Sequence, residues 1–267
     1  LFTPTAAGYF GVALSKNTTL QFLDLSRNFL KSIGIWPIAI ALMDNKTLKT
    51  IDLRHNKIDS SGADILCELI EKNTSITVMR LSGNMLDDDT IINLAKQLQI
   101  NTTLKEIELN SITITSGGFI ALCESLKHNN SLQKISISGN KITAKSLEHF
   151  ASLLRENTAL EVIGMSACGI NDEACQYIAE GIANNSTLSE LDISKNSIDN
   201  EGAIMLLDAI QGNYSIMKLD YNENPFIKGE DGEIPNKIAD FLERNNYYQH
   251  NILMKDMDLL VNDPAFL

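Results

Sequence analysis

Hydrophobic residues recur along the chain with a period of 28 residues. A leucine or an isoleucine opens each period, at Leu20, Leu48, Ile76, Leu104, Leu132, Leu160, Leu188 and Ile216. Apolar residues follow at the fourth and sixth positions, which lie on one side of a short strand. Later apolar residues, such as Ala63, Leu66, Cys67 and Ile70 in the second period, fall on one face of a helix. Each period therefore predicts a strand, a loop, a helix and a turn that leads back to the next strand.

Such a unit cannot bury its apolar side alone, so consecutive units must stack. Neighbouring helices need about 8–10 Å and neighbouring strands about 4.8 Å, so the stack must curve with its strands inside. We therefore predict an α/β fold: a right-handed solenoid, or horseshoe, with parallel strands on the concave face and helices on the convex face. Residues 1–246 are expected to form a single repeat domain, with a partial repeat at 1–19 and eight repeats from residue 20, and 247–267 a C-terminal cap or tail.

Two columns of asparagine support this repeat. At the ninth position, side-chain amides are expected to bond backbone groups that the loop leaves unpaired, at Asn28, Asn56, Asn84, Asn140, Asn196 and Asn224. The fourth repeat has Ile112 there, so its loop should be held differently. At position 26, asparagines are expected to adopt the left-handed conformation after each helix, at Asn17, Asn45, Asn73, Asn101, Asn129, Asn157, Asn185 and Asn213.

The second period has Leu48, Ile51, Leu53, Asn56 and Ile58 in the spacing L-x-x-L-x-L-x-x-N-x-L. Residues 5 to about 246 resemble the ribonuclease-inhibitor-like subfamily of leucine-rich-repeat proteins, which includes Ran GTPase-activating proteins, tropomodulins and the sensor ends of innate immune receptors. The resemblance implies a protein-protein interaction scaffold that binds its partner on the concave face or rims. Two alternatives stay open: a GTPase-activating protein of the Ran-activator type, and a bacterial effector acting in a host cell through protein binding.

Charge narrows the choice of partner. The chain has 34 acidic and 22 basic residues, a net charge of −12, which argues against nucleic acid. Residues 1–160 hold 16 basic and 15 acidic residues, net +1, whereas 161–267 hold 6 and 19, net −13. We therefore expect a protein partner with a basic patch to be steered to the C-terminal arm.

Composition also bears on location. The longest apolar run, Ile33 to Met43, is shorter than the roughly 20 residues needed to span a bilayer, so no membrane span is predicted. The chain opens at Leu1 without a methionine or a basic-then-apolar leader, so we expect a fragment or a processed chain. Four cysteines form no disulfide framework and are expected to be buried thiols. These features predict a cytoplasmic protein, in its own cell or in the host cytosol if it is an effector.

The residues do not combine into a predicted catalytic centre. Of the four histidines only His55 falls on the concave face, beside Asp52 and Arg54, and the register suggests no serine or cysteine nucleophile there. We recognise no phosphate-binding glycine loop and no metal-ligand spacing. The sequence therefore predicts no enzyme, no metal site and no cofactor.

The register instead lists the side chains of the concave face. The predicted partner-binding residues are Asp24, Asp52, Arg54, His55, Arg80, Glu108, Ser136, Gly164, Glu190, Asp192, Lys218 and Asp220. Small residues around Ser136 and Gly164 predict a low saddle, with carboxylates such as Asp192 and Asp220 available to basic groups of a partner. The alternative is that the aspartate column belongs to the repeat consensus and has no binding role.

Two apolar segments depart from the pattern. On the outer face of the first full helix, Trp36, Ile40 and Met43 form a stripe with Val12 in the same column, where other repeats are polar. Either Phe2, Tyr9 or upstream residues cover this stripe, or it docks another domain, a second copy or a partner. The second segment is a tail that is expected to cap the solenoid or, alternatively, to act as a free recognition motif, with Ile252, Leu253, Met254, Met257, Leu260 and Val261.

Overall fold

The computed structural model describes residues 3–228 and 232–261, in which short strands alternate with helices. The strands are β1 Phe22–Asp24, β2 Thr50–Asp52, β3 Val78–Arg80, β4 Glu106–Glu108, β5 Lys134–Ser136, β6 Val162–Gly164, β7 Glu190–Asp192 and β8 Lys218–Asp220. The helices are α1 Pro4–Leu14, α2 Lys31–Met43, α3 Ser60–Lys72, α4 Asp88–Ile100, α5 Ser116–Leu126, α6 Leu147–Glu156, α7 Asp172–Ala183, α8 Asn200–Gly212 and α9 Glu233–Val261. Short 3₁₀ turns at Ala144–Ser146 and Pro225–Lys228 precede α6 and α9.

All the strands belong to one parallel sheet, in the order β1 to β8. Each strand pairs in register with the residues one period later, so that Leu23 lies opposite Ile51 and Ile51 opposite Met79. These central residues are buried against the helices, which leaves the two flanking positions of each strand on the other face. The predicted leucine-rich-repeat solenoid is confirmed, with strands inside and helices outside.

A ladder of asparagine side chains joins consecutive loops at the ninth position. The side-chain amide of Asn56 donates to the carbonyls of Leu25 (2.8 Å) and Leu53 (3.0 Å), while its oxygen accepts from Leu30 N–H (3.3 Å). Asn56 is fully buried, so without these bonds the backbone groups would lose partners that water cannot replace. The predicted role of this column is confirmed.

Two repeats lack this asparagine. Ile112 is buried in the core, and the N–H groups of Ile112 and Ile114 both donate to the side chain of Asn140 one repeat later (3.1 Å each). In the sixth repeat, the thiol of Cys168 donates to the carbonyl of Ile137 (3.4 Å), the direction in which an asparagine amide would donate. Asn56 and Ile58 donate to Asn84 in the same way, so the fourth loop keeps this part of the ladder. It differs from the loops that carry the asparagine only because Ile112 has no side-chain amide to donate to backbone carbonyls, and the prediction holds to that extent.

The backbone conformation predicted for the asparagines at position 26 is wrong. Asn73, for example, has extended backbone angles (φ −80°, ψ 135°) and not the left-handed ones. Its side chain donates to the carbonyls of Leu42 and Asn45 and accepts from the N–H groups of Ser75 and Ile76. The column therefore ties each return turn to the previous repeat and does not terminate helices through a positive φ.

The two ends of the solenoid are closed by different helices. At the N-terminal end α1 packs so tightly on α2 that a Cβ at Gly11 would lie 2.6 Å from the carbonyl oxygen of Pro37. At the other end α9 places the guanidinium of Arg244 on the carbonyls of Ile210, Gln211 and Asn213. Arg244 thereby satisfies backbone groups that a following repeat would otherwise cover.

Helix α9 continues across residue 246, where the repeat domain was expected to end, and that boundary stays a prediction. Ile252 is partly exposed on it. For the rest of the apolar tail the side chains lie outside the described residues, at Leu253, Met254, Met257, Leu260 and Val261. Among the described residues, no helix combines the length and apolarity that crossing a bilayer requires.

Candidate functional site

The concave face carries the side chains at the third and fifth positions of each repeat, on either side of the buried central residue. The structure divides the predicted partner-binding residues there into two regions of different character. Over β2 to β4 the charged side chains pair with one another. Over β5 to β8 small side chains form a depression with carboxylates at one end.

In the first region Arg54 neutralises Asp52. The carboxylate of Asp52 is 1% exposed and lies 2.5 Å from the Arg54 guanidinium, which also binds it through Nε. Hydrogen bonding to Asp52 raises the pKa of Arg54 above its ordinary value. The expectation that Asp52 presents an exposed negative charge to a partner is therefore wrong, because its own repeat already supplies the cation.

The pairing extends across the neighbouring strands. Arg80 contacts Glu108 (2.8 Å) and Glu106 (3.3 Å), and Lys134 lies 3.7 Å from Glu106. Arg54 reaches the same Glu108 at 3.6 Å. Together these arginine, lysine, aspartate and glutamate side chains form one network in which cations and carboxylates alternate. Little net charge is therefore left for a partner over β2 to β4.

The N-terminal edge of the concave face has an acidic and an aromatic residue. Hydrogen bonds from Ser26 hold the pKa of Asp24 below its ordinary value, and Phe22 beside it on β1 is 54% exposed. His55 has a left-handed backbone (φ 56°), and its ring lies over Gly83, where an added Cβ would be 2.2 Å from Nδ1. The imidazole therefore packs on the backbone of the next repeat on one side, while His55 as a whole is exposed on the surface.

The second region is a depression of about 190 Å³, which we call the C-terminal depression. Six of the predicted site residues line it, together with other residues of β5 to β8. The six are Ser136, Gly164, Glu190, Asp192, Lys218 and Asp220. Gly164 forms its floor, because a Cβ at this residue would lie only 2.7 Å from the hydroxyl of Ser136. The predicted saddle is therefore a concavity, formed where a side chain is missing.

The carboxylates at one end of the depression have no cationic partner in the part of the chain that the structure describes. Asp192 and Asp220 are register partners on adjacent strands, and each accepts hydrogen bonds from the residue two positions later, Ser194 or Asn222. Among the described residues no lysine or arginine forms an ion pair with either, since Lys218 pairs with Glu190 at 3.3 Å. Two charges about 5 Å apart repel by about 0.8 kcal/mol in water, and by more where water is excluded.

The remaining side chains that could support chemistry are the cysteines and the residue types that bind metals. All four cysteines are buried and unpaired. Burial raises the pKa of Cys67 and Cys168 to about 11 and that of Cys175 to about 12, and it also raises the pKa of Cys123. Within the described part of the chain, no three His, Cys, Asp or Glu side chains are placed to hold a metal ion.

The apolar stripe of the first full helix lies on the surface. Val12 is 60%, Trp36 43% and Ile40 54% exposed, whereas Met43 is partly buried against the core. Tyr9, which was one of the residues expected to cover the stripe, is itself 80% exposed. Phe2, the other, lies outside the described residues.

Sequence reasoning missed the charge network over β2 to β4. Its signal was visible, since Arg80 and Glu108 are separated by one period and Arg54 follows Asp52 by two residues on the same strand face. A list of exposed positions treats each charge as available. Long arginine side chains nevertheless reach the next strand, at a spacing of about 4.8 Å.

Comparisons with known proteins agree with this architecture. The family described as "Leucine Rich repeat" matches residues 16–38, 44–67, 128–151 and 184–207. A comparison with curated protein sequences finds no significant match. The matched segments are leucine-rich repeats, and together with the 28-residue register they support a leucine-rich-repeat protein of the ribonuclease-inhibitor-like type.

Solved structures share the fold at low sequence identity. The leucine-rich-repeat-containing protein LegL7 of Legionella pneumophila is 18% identical, with a TM-score of 0.57 over 83% of this chain and 71% of that one. The "Leiomodin-1 Actin-Binding Site 2" structure is 17% identical, with a TM-score of 0.57 over 64% of this chain and 96% of that one. The tropomodulin C-terminal domain of Caenorhabditis elegans is also 17% identical, with a TM-score of 0.52 over 63% of this chain and 97% of that one.

Proposed function

We propose that this protein is a protein-binding scaffold whose concave face recognises a partner that carries basic residues. The observation that carries the proposal is the pair Asp192 and Asp220 at the end of the C-terminal depression, which have no ion pair with a lysine or arginine of the described residues. Over β2 to β4 the same strand face neutralises its own charges. A basic group of a partner would relieve the repulsion between the two aspartates and gain two carboxylate contacts.

The surrounding shape suits a protein surface. The floor at Gly164 and the half-buried Ser136 offer small and polar contacts beside the charged end. The C-terminal arm also carries the acidic excess of the chain, which would accelerate the encounter with a basic partner. Electrostatic recognition of this kind mainly raises the association rate and makes it sensitive to salt.

The test compares two variants of equal net charge. The first reverses the depression, with Asp192→Lys and Asp220→Lys. The second reverses two exposed carboxylates on the convex helix α8, with Glu201→Lys and Asp208→Lys. Chains captured from a cell lysate by the wild-type protein should be lost with the first variant and retained with the second.

Binding of a captured chain is then measured as a function of salt. We expect the depression variant to weaken affinity by at least about tenfold at low ionic strength and to flatten its salt dependence. Equal affinity and equal salt dependence in wild type and variant would refute the concave site. Equal losses in both variants would refute it too, because they would reflect net charge alone.

The remaining predictions need tests of their own. Actin is part of the name of the leiomodin structure, and cosedimentation with actin would test a shared partner. Stimulated GTP hydrolysis by a Ran-like GTPase would support the activator alternative. Translocation of this protein into a host cell would support the effector alternative. Unpaired cysteines support the proposed cytoplasmic location, which fractionation of the source cell would check.

A further inference from the structure

A second candidate surface lies on the convex side, at the N-terminal end of the solenoid. Ile33, Trp36 and Ile40 are 76%, 43% and 54% exposed along α2, and Val12 is 60% exposed on the adjacent helix α1. Contiguous apolar patches bordered by polar residues usually mark interaction sites on soluble proteins. We call these four residues the convex patch.

The helices that form the convex patch differ from the others in composition. Helix α1 has no charged residue, and α2 has only Lys31. A helix that is apolar on all sides is normally buried on all sides. Here the side opposite the core is open, which leaves the apolar surface of α1 and α2 without a cover among the described residues.

The convex patch extends over both α1 and α2. Gly8 lies one period before Trp36, and a Cβ added there would meet no atom within 4 Å. Val12 lies one period before Ile40, so apolar residues of the two helices lie side by side, with open space at Gly8. A partner helix can place side chains at i, i+4 and i+7 along such a surface.

The next helix borders the convex patch with negative charge. Asp64, Glu68 and Glu71 on α3 lie one period after Trp36, Ile40 and Met43, and all three carboxylates are exposed. Adjacent helices lie about 8–10 Å apart, so each apolar residue of α2 has a carboxylate beside it. Lys72 pairs with Glu68 at 2.9 Å, and the border remains net negative.

We infer that the convex patch docks an amphipathic helix of a partner protein that has an apolar stripe and a basic flank. The apolar stripe would cover Val12, Trp36 and Ile40, and the basic flank would face the carboxylates of α3. The same border disfavours a second copy docking through its acidic C-terminal arm, and it disfavours an anionic membrane surface. This surface is separate from the concave face, so the two can be occupied together.

The experiment uses the intact protein and two synthetic peptides of about 18 residues, a length at which helices become stable enough to form. Both peptides carry leucine at helical i, i+4 and i+7 spacing. One has lysine along a flank, and the other has glutamate at the same places. Trp36 is the only tryptophan, so its emission and its quenching by acrylamide report on the patch alone.

The lysine peptide is expected to shift Trp36 emission to the blue and to protect it from acrylamide, whereas the glutamate peptide should do neither. Ile40→Glu should weaken binding at least about tenfold, as expected for the loss of an apolar anchor. The matched control Ile204→Glu replaces an exposed isoleucine on α8 and should leave binding unchanged. Reversal of Asp64, Glu68 and Glu71 to lysine should exchange the preference between the two peptides.

Four results would overturn the inference. Equal binding of both peptides would remove the role of the acidic border, and full binding by Ile40→Glu would remove that of the patch. A blue shift that grows with protein concentration alone would assign the surface to a second copy. A shift with phosphatidylserine vesicles and none with the peptides would assign it to a membrane.

Discussion

Replacement of Asn56 by alanine tests how much the asparagine ladder contributes to stability. The side chain is fully buried and bonded at both of its polar atoms. Alanine removes the acceptor of Leu30 N–H, for which the side-chain oxygen of Asn56 is the partner at 3.3 Å. It also removes one donor each from the carbonyls of Leu25 and Leu53, although Asn28 and Asn84 still donate to them.

The expected loss follows from these counts. A buried N–H left without a partner costs about 1–3 kcal/mol. Each carbonyl that keeps a second donor loses one ordinary hydrogen bond, worth about 0.5–1.5 kcal/mol. The total is about 2–6 kcal/mol, a large part of the stability of a typical domain.

The assay combines two readouts. Urea denaturation followed by circular dichroism gives the change in unfolding free energy, and amide hydrogen exchange reports whether Leu30 N–H opens faster in the variant. The matched control is Asn93→Ala, an exposed asparagine on α4 that bonds only Lys96, for which a change below about 0.5 kcal/mol is expected. A loss below about 1 kcal/mol for Asn56→Ala, with unchanged exchange at Leu30, would refute the ladder as a source of stability.

Three further predictions concern single contacts. Arg54→Met leaves the buried carboxylate of Asp52 without its cation and should cost about 3–5 kcal/mol, and adding Asp52→Asn should recover most of the loss in urea denaturation. Arg244→Lys keeps the positive charge but removes the planar guanidinium that binds three carbonyls. Amide hydrogens of α8 should then exchange with solvent about tenfold faster or more, and unchanged exchange rates would contradict the capping role. The four buried thiols, whose pKa values are raised by burial, should react with a thiol reagent near pH 7 only after unfolding, and rapid reaction of the native protein would contradict their burial.

The fold could be predicted from the sequence because the same apolar pattern occurs in every repeat. The apolar pattern of Leu48, Ile51 and Leu53 recurs at every period, and each recurrence confirms the same strand and helix. The conformation of Asn73 could not be predicted in the same way. Asparagine tolerates several backbone conformations, and its bonds to the preceding repeat decide which one it adopts.

The candidate site was predictable in position and only partly in chemistry. Register placed Asp52 and Asp192 in one column, as the strand pairing confirms. Their environments nevertheless differ, because Arg54 follows Asp52 by two residues whereas Ser194 follows Asp192. Aspartates at the same position of different repeats therefore differ in how far a neighbouring cation neutralises them. In these two repeats the side chain two positions later decides whether the carboxylate remains available to a partner.

The two proposed surfaces differ in what would hold a partner, and this difference can be measured. The C-terminal depression offers carboxylates above a small apolar floor, so binding there should weaken steeply with salt and change heat capacity less than binding at the convex patch. The convex patch offers Trp36, Ile40 and Val12 beside the α3 carboxylates, so binding there should show a marked negative heat-capacity change in addition to any salt dependence. Calorimetry of one partner at several temperatures and salt concentrations therefore assigns it to a surface. A partner that shifts Trp36 emission without a negative heat-capacity change would contradict this division.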